Sequence, residues 1–256
     1  MASAETPSPA TSPATSSGTG GSDNSFGRIF GVLFSPQATF ESIVRRPTWV
    51  VPVVLGCVFF IVVVAIFTQR GGWPSFFEKQ AANSSRMQQL SSEDRQVAIE
   101  RQVKIAPIAG YIEGVIIPPI GALVVAGVLL LVFNLSVGTK IEFKTSLGIV
   151  SFAWVPWLVH GALSILILFL KDSSTVDLQN IVASNPGALL SNDAAKWLVA
   201  LLSSIDIFAI WTMILLAIGF SVTDSKKLSF GKSFVLVIIP WILFTVVKVG
   251  LVAAFS

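Results

Sequence analysis

Five apolar stretches, each long enough to cross a lipid bilayer, constrain this chain more than any other feature. A bilayer core takes about 20 residues of α-helix. Residues 48–67, 105–133, 147–170, 197–220 and 234–255 all meet that length. In hydrocarbon no water is available to the backbone, so such runs satisfy their own N–H and C=O groups as helices. A soluble core could hide one run of this kind, but not five in 256 residues. Charged residues are 12% of the chain, against about 25% in soluble domains. The chain is therefore read as an all-α, polytopic integral membrane protein with five transmembrane helices. The second run is too long for a simple span, and its start is read as an extension of the preceding loop helix.

Three segments divide the sequence. Residues 1–24 hold 6 Ser, 4 Thr, 3 Pro, 4 Ala and 3 Gly, a composition with almost nothing to bury, and are expected to form a disordered tail. Residues 25–46 are read as an amphipathic interfacial segment. Phe26, Ile29, Phe30, Leu33 and Phe34 follow the spacing of one helical face. Ser35-Pro36 then stops that helix and starts a second, with Ser35 as its cap. The second helix is expected to bury Phe40, Ile43 and Val44. Both short helices are expected to lie in the headgroup region; the alternative is packing against the bundle. Residues 47–256 form the membrane domain. In its loop 68–104, Ser91 and Asp94 stand at capping spacing and predict a polar helix reaching about residue 104. The first apolar run follows a polar tail, so the first span is expected to act as an uncleaved anchor.

Chemistry has little to build on. Cys57 has no partner thiol and His160 is the one histidine, so no disulfide, metal or cofactor is expected. Nucleophile-elbow, phosphate-loop and zinc-protease motifs are missing, and no enzymatic activity is expected. No Lys/Arg run suggests nucleic acid. The expected partner is the lipid bilayer itself. The notable polar groups are ionisable residues inside the spans: Glu113, His160, Asp206 and Lys248. Counted from one membrane face, the last three lie roughly 12–16 Å deep at ~1.5 Å per residue, with Glu113 nearer the rim. Charge in hydrocarbon is costly, so an inward-facing polar cluster is expected, with Asp206 and Lys248 as an ion pair. It reads as structural glue or as a relay for protons or a small substrate. Pro118-Pro119, Pro156 and Pro240 are expected to kink or break their helices.

A motif recurs: Lys140-Ile141-Glu142-Phe143-Lys144-Thr145-Ser146-Leu147 and Lys227-Leu228-Ser229-Phe230-Gly231-Lys232-Ser233-Phe234. Ser-Val precedes each copy and Pro-Trp follows within the next span. The pattern predicts that spans 2–3 and 4–5 repeat one helical hairpin about an axis along the membrane normal. Flanks 26–47, 134–146 and 221–233 carry 8 basic residues over 48 positions, against 8 over 63 in loops 68–104 and 171–196. The denser side is expected to be cytoplasmic, which places the N-terminus there.

The run Leu33-Phe34-Ser35-Pro36-Gln37-Ala38-Thr39-Phe40-Glu41 and Arg46-Pro47-Thr48-Trp49-Val50-Val51-Pro52, with the Lys-x-x-Phe-x-x-Ser loops and Pro-Trp spans, resembles the bacterial branch of the YIP1 family over roughly residues 26–256. The resemblance implies a five-helix membrane domain in the bacterial cytoplasmic (inner) membrane and a cytoplasmic N-terminal segment; together with the amphipathic segment and the lack of chemistry it leads to the expectation of a non-enzymatic membrane-organising, trafficking-like or scaffold role. Eukaryotic members contact Rab GTPases. Their Asp-Leu-Tyr-Gly-Pro signature falls on Val32-Leu33-Phe34-Ser35-Pro36, where only Leu and Pro agree, so binding of a Rab-type GTPase is not expected. The rival reading is a small-molecule or ion permease using the midplane polar cluster.

Overall fold

The computed structural model describes residues 24–191 and 194–255; the expected disorder of the tail falls on residues 1–23, outside the described part. The described residues form helices α1 (Ser25–Phe34), α2 (Pro36–Arg45), α3 (Val50–Gln69), α4 (Gly72–Ala82), α5 (Ser85–Gln88), α6 (Ser92–Val137), α7 (Phe143–Ala153), α8 (Val155–Leu170), α9 (Lys196–Leu202), α10 (Ile207–Ser221) and α11 (Phe230–Phe255), with one 3₁₀ turn at Pro186–Leu189. Among the described residues, α3, α6, the α7–α8 pair and α11 are each long and apolar enough to span a membrane. The bent pair α9 and α10, at 45° to each other, lies fourth in chain order and brings the number of spans to five when counted as one.

One expectation holds at this level and two change. The start of the second span is the extension of the loop helix that its length implied: α6 runs unbroken for 46 residues, about 69 Å at ~1.5 Å per residue. Ser91 caps it, its Oγ accepting the Asp94 N–H at 3.0 Å while its own hydroxyl donates to the Asp94 carboxylate at 2.7 Å. The fourth span is not one helix across Asp206. Residues 203–206 interrupt it, and α10 starts afresh. The prolines do not act alike. Pro156 sits in the first turn of α8, just past a break at Trp154. Pro118, Pro119 and Pro240 lie inside continuous helices, where their missing N–H groups are absorbed without ending the helix.

The N-terminal hairpin docks on the bundle. Ile29 and Val32 of α1, with Phe40 and Ile43 of α2, are buried in the main core. There α2 meets α7 and α10. Gly31 lets the two helices close, since a Cβ there would stand 2.5 Å from Thr39 Oγ1. The expected cap differs in detail. Ser35 makes no side-chain cap to α2; its carbonyl instead accepts the Thr39 hydroxyl at 2.8 Å. The clamp that sequence reading missed is Arg28. Its guanidinium is buried and donates to Arg46 O at 3.0 Å, Thr48 Oγ1 at 3.1 Å and Ser42 O at 3.2 Å. One side chain thus ties α1 to the last turn of α2 and to the entry of α3, where helix carbonyls need donors.

The two loops of the repeated motif lie at one end of the bundle, where Lys227 Nζ donates to Gly138 O at 2.7 Å. The offset of 87 residues that relates Lys140 to Lys227 also relates Phe133 to Phe220. Those two rings stack with centroids 4.4 Å apart. α6 packs on α11, and α7 on α10, the crosswise pairing that a two-fold relation between hairpins produces. The copies differ in their outer halves, since the helix breaks beside Pro156 but not at Pro240. At the opposite end, α4 folds back on α3 and α6. Trp73 packs edge-on against Phe67 and Phe76 and stacks on Phe77.

Candidate functional site

The four ionisable residues expected to cluster separate into two places. Three of them surround the break between α9 and α10. Asp206 is buried and caps α10: one carboxylate oxygen accepts the N–H of Phe208 at 2.8 Å and of Ala209 at 3.3 Å. The other accepts the hydroxyl of Ser184. The backbone reinforces that link, with Ile207 N–H donating to Ser184 O at 3.2 Å. Ser184 belongs to the loop between α8 and α9. That loop therefore reaches into the bundle and brings polar groups to Asp206, so the carboxylate does not wait at mid-membrane for a cation. Ala183 takes a left-handed φ of 52° beside it, an unusual conformation for a residue with a Cβ.

Among the described residues, the expected Asp206–Lys248 ion pair is not formed. Lys248 Nζ donates instead to Ser204 Oγ at 3.1 Å, and Ser204 in turn donates to Ala200 O at 2.8 Å. Both charged side chains thus serve the same interruption, one at each flank. A carboxylate at a helix N-terminus meets free N–H groups and the positive end of the helix dipole. An ammonium near the last carbonyls of α9 meets the negative end. This local satisfaction removes the need for a partner across the bundle. His160 joins the group through aromatic contact. Its ring lies edge-on to Phe208, centroids 5.2 Å apart, and tilts against Trp157 at 5.4 Å. Ser164 donates to the His160 carbonyl at 2.9 Å.

Glu113 lies elsewhere. A Cβ on neighbouring Gly114 would meet Phe60 and Ile61 within about 3 Å, which sets Glu113 level with the middle of α3 and not at its rim. Exposed itself, it is among the residues lining a half-open cavity of about 570 Å³ between α3, α6 and the α7–α8 pair. His160, Ser151 and Ser164 share the wall; Asp206 and Lys248 do not. Most of the lining is apolar or aromatic. Trp73, Leu178 and Ile181 sit at the end facing α4, while Pro52 and Val53 sit at the other. Such a volume falls in the ~300–1,000 Å³ range of small-molecule sites. Among the described residues, no three of His, Cys, Asp and Glu converge as metal ligands would.

Sequence reading found the four residues but not their partners. Ser184, Ser204 and the cavity depend on how one loop folds back, which no local pattern encodes. One signal was present: Ser203-Ser204-Ile205-Asp206 interrupts an apolar run with three polar residues in four positions, a helix stop followed by a cap. Comparison with known families places residues 30–251 in a match to the Yip1 domain. Comparisons with curated proteins and with solved structures returned no match.

Proposed function

Since the chain belongs to the Yip1 domain family, a group of multi-pass membrane proteins, we propose that it is a non-enzymatic membrane-organising factor of the bacterial cytoplasmic membrane. Its working part is the α1–α2 hairpin, held on the cytoplasmic face of the bundle. One observation carries this reading. The inner face of α1 is clamped to the bundle through Ile29, Val32 and Arg28, whereas Phe26, Phe30 and Phe34 form an outer row that is 55%, 65% and 82% exposed. These three stand at i, i+4 and i+8, one above another on the helix. A rigidly mounted aromatic row beside the spans suits the boundary between headgroups and acyl chains. It would press on one leaflet without any chemistry.

The test is reconstitution. Wild-type protein in liposomes is expected to change vesicle size or curvature in proportion to its density. Phe30→Ser with Phe34→Ser is expected to abolish that effect while leaving thermal unfolding almost unchanged, because both rings are already exposed. Equal remodelling by variant and wild type would refute the reading.

Orientation has its own test. Loops 134–146 and 221–233 belong with the N-terminal hairpin, and loop 68–104 belongs opposite. A reporter active only outside the cytoplasm, placed in loop 68–104 or after the last residue, is expected to be active at both sites. Silence at both sites would reverse the assignment.

A further inference from the structure

We propose that the cavity between α3, α6 and α8 is a binding site for a lipophilic cation: a single hydrocarbon chain ending in an ammonium group. This site is independent of the membrane-organising role of α1 and stands or falls separately. Its position comes first. The walls are the central turns of three spans, so whatever enters is drawn from the bilayer and is largely hydrocarbon. Its shape follows, since the cavity runs lengthwise from Pro52 on one side to Trp73 on the other, as a chain would lie.

The charge comes from Glu113. Glu113 is exposed and is one of the residues lining this cavity, at the level of mid-α3, where a charged group is costly. Unlike Asp206, it receives no hydrogen bond from a described residue, and no Lys or Arg lines the cavity. A cation from outside the chain is the partner that its chemistry calls for. The remaining observation is aromatic. Phe59, Phe60, Trp154 and Trp157 line the same space. Of these, Phe60 stands at the level of Glu113, since it is what a Cβ on Gly114 would meet, and an aromatic face beside a carboxylate favours an ammonium group by adding cation–π attraction to direct charge pairing. A neutral or anionic head would gain from neither. His160 and Ser164 on the facing wall supply polar edges but no fixed positive charge to compete.

The experiment uses the full chain in lipid nanodiscs and two photoreactive probes of equal chain length. One is a diazirine-bearing dodecyltrimethylammonium and the other the matching dodecanol. The ammonium probe is expected to label the α3 and α6 peptides that line the cavity roughly tenfold more than the alcohol. Glu113→Gln is expected to lower ammonium labelling about tenfold, the loss of one charge-assisted contact, with alcohol labelling unchanged. Should that variant fail to fold, Phe60→Leu is expected to lower ammonium labelling selectively, because it removes the π face at the level of Glu113 while keeping the wall apolar. Equal labelling by the two probes, insensitivity to the substitution that folds, or adducts confined to α11 would overturn the proposal.

Discussion

Asp206→Ala is expected to destabilise the protein by about 2–4 kcal/mol. The loss combines a helix cap, typically ~0.5–2 kcal/mol, with the stranding of the Ser184 hydroxyl and two N–H groups in a poorly hydrated site. Asp206→Asn keeps one acceptor oxygen for Phe208 and Ala209 and is expected to cost roughly half as much. Lys248→Met removes a single hydrogen bond to Ser204 and is expected to cost about 1 kcal/mol or less. Because the two charges hold different serines, the double variant Asp206→Asn with Lys248→Met is expected to be additive within ~0.5 kcal/mol. Reversible unfolding of the purified protein, read as a double-mutant cycle, checks this. Strong coupling, with the double variant rescuing the single, would restore the direct ion pair read from the sequence.

Arg28→Met is the other large effect. Its guanidinium makes three hydrogen bonds that tie α1, the end of α2 and the entry of α3 together. Hydrogen bonds to charged groups are worth ~1.5–3 kcal/mol each when lost in a buried setting. The freed carbonyls of Ser42 and Arg46 lie close to the bundle end, where water replaces part of the interaction. A net loss of about 2–4 kcal/mol is expected, concentrated in the hairpin. Amide exchange should therefore accelerate across residues 25–46 while α3, α6 and α11 keep their protection. Uniform acceleration across the chain would mean that Arg28 supports the whole bundle and not the hairpin alone.

The spans were legible because bilayer thickness and backbone hydrogen bonding leave few alternatives to a run of twenty apolar residues. α2 was legible for the same kind of reason, with Phe40, Ile43 and Val44 falling on the face it buries. α1 was half legible. Its periodicity marked an apolar face, but the bundle takes Ile29 and Val32 and leaves Phe26, Phe30 and Phe34 outside. Spacing alone cannot divide one wide stripe between two neighbours. The polar residues were the least legible. Depth counting treated spans as straight rods, which placed Asp206 and Lys248 opposite one another. The break at residues 203–206 and the inward loop at Ser184 then supplied nearer partners. A buried charge takes the closest satisfied geometry, and that geometry was tertiary. Arg28 shows the same limit: counted only among the basic residues of flank 26–47, it is a buried donor to helix-end carbonyls.

On the proposed function, α1 is mounted with Phe30 and Phe34 facing lipid while Ile29 and Val32 face the bundle. Spin labels at positions 30 and 34, in a Cys57→Ser background reconstituted in nanodiscs, test it by power saturation against oxygen and against a water-soluble nickel chelate. Both positions are expected to be accessible to oxygen and shielded from the chelate, as they would be just below the headgroups. High chelate accessibility at both positions would place the aromatic row in water and rule out its seat at the membrane interface.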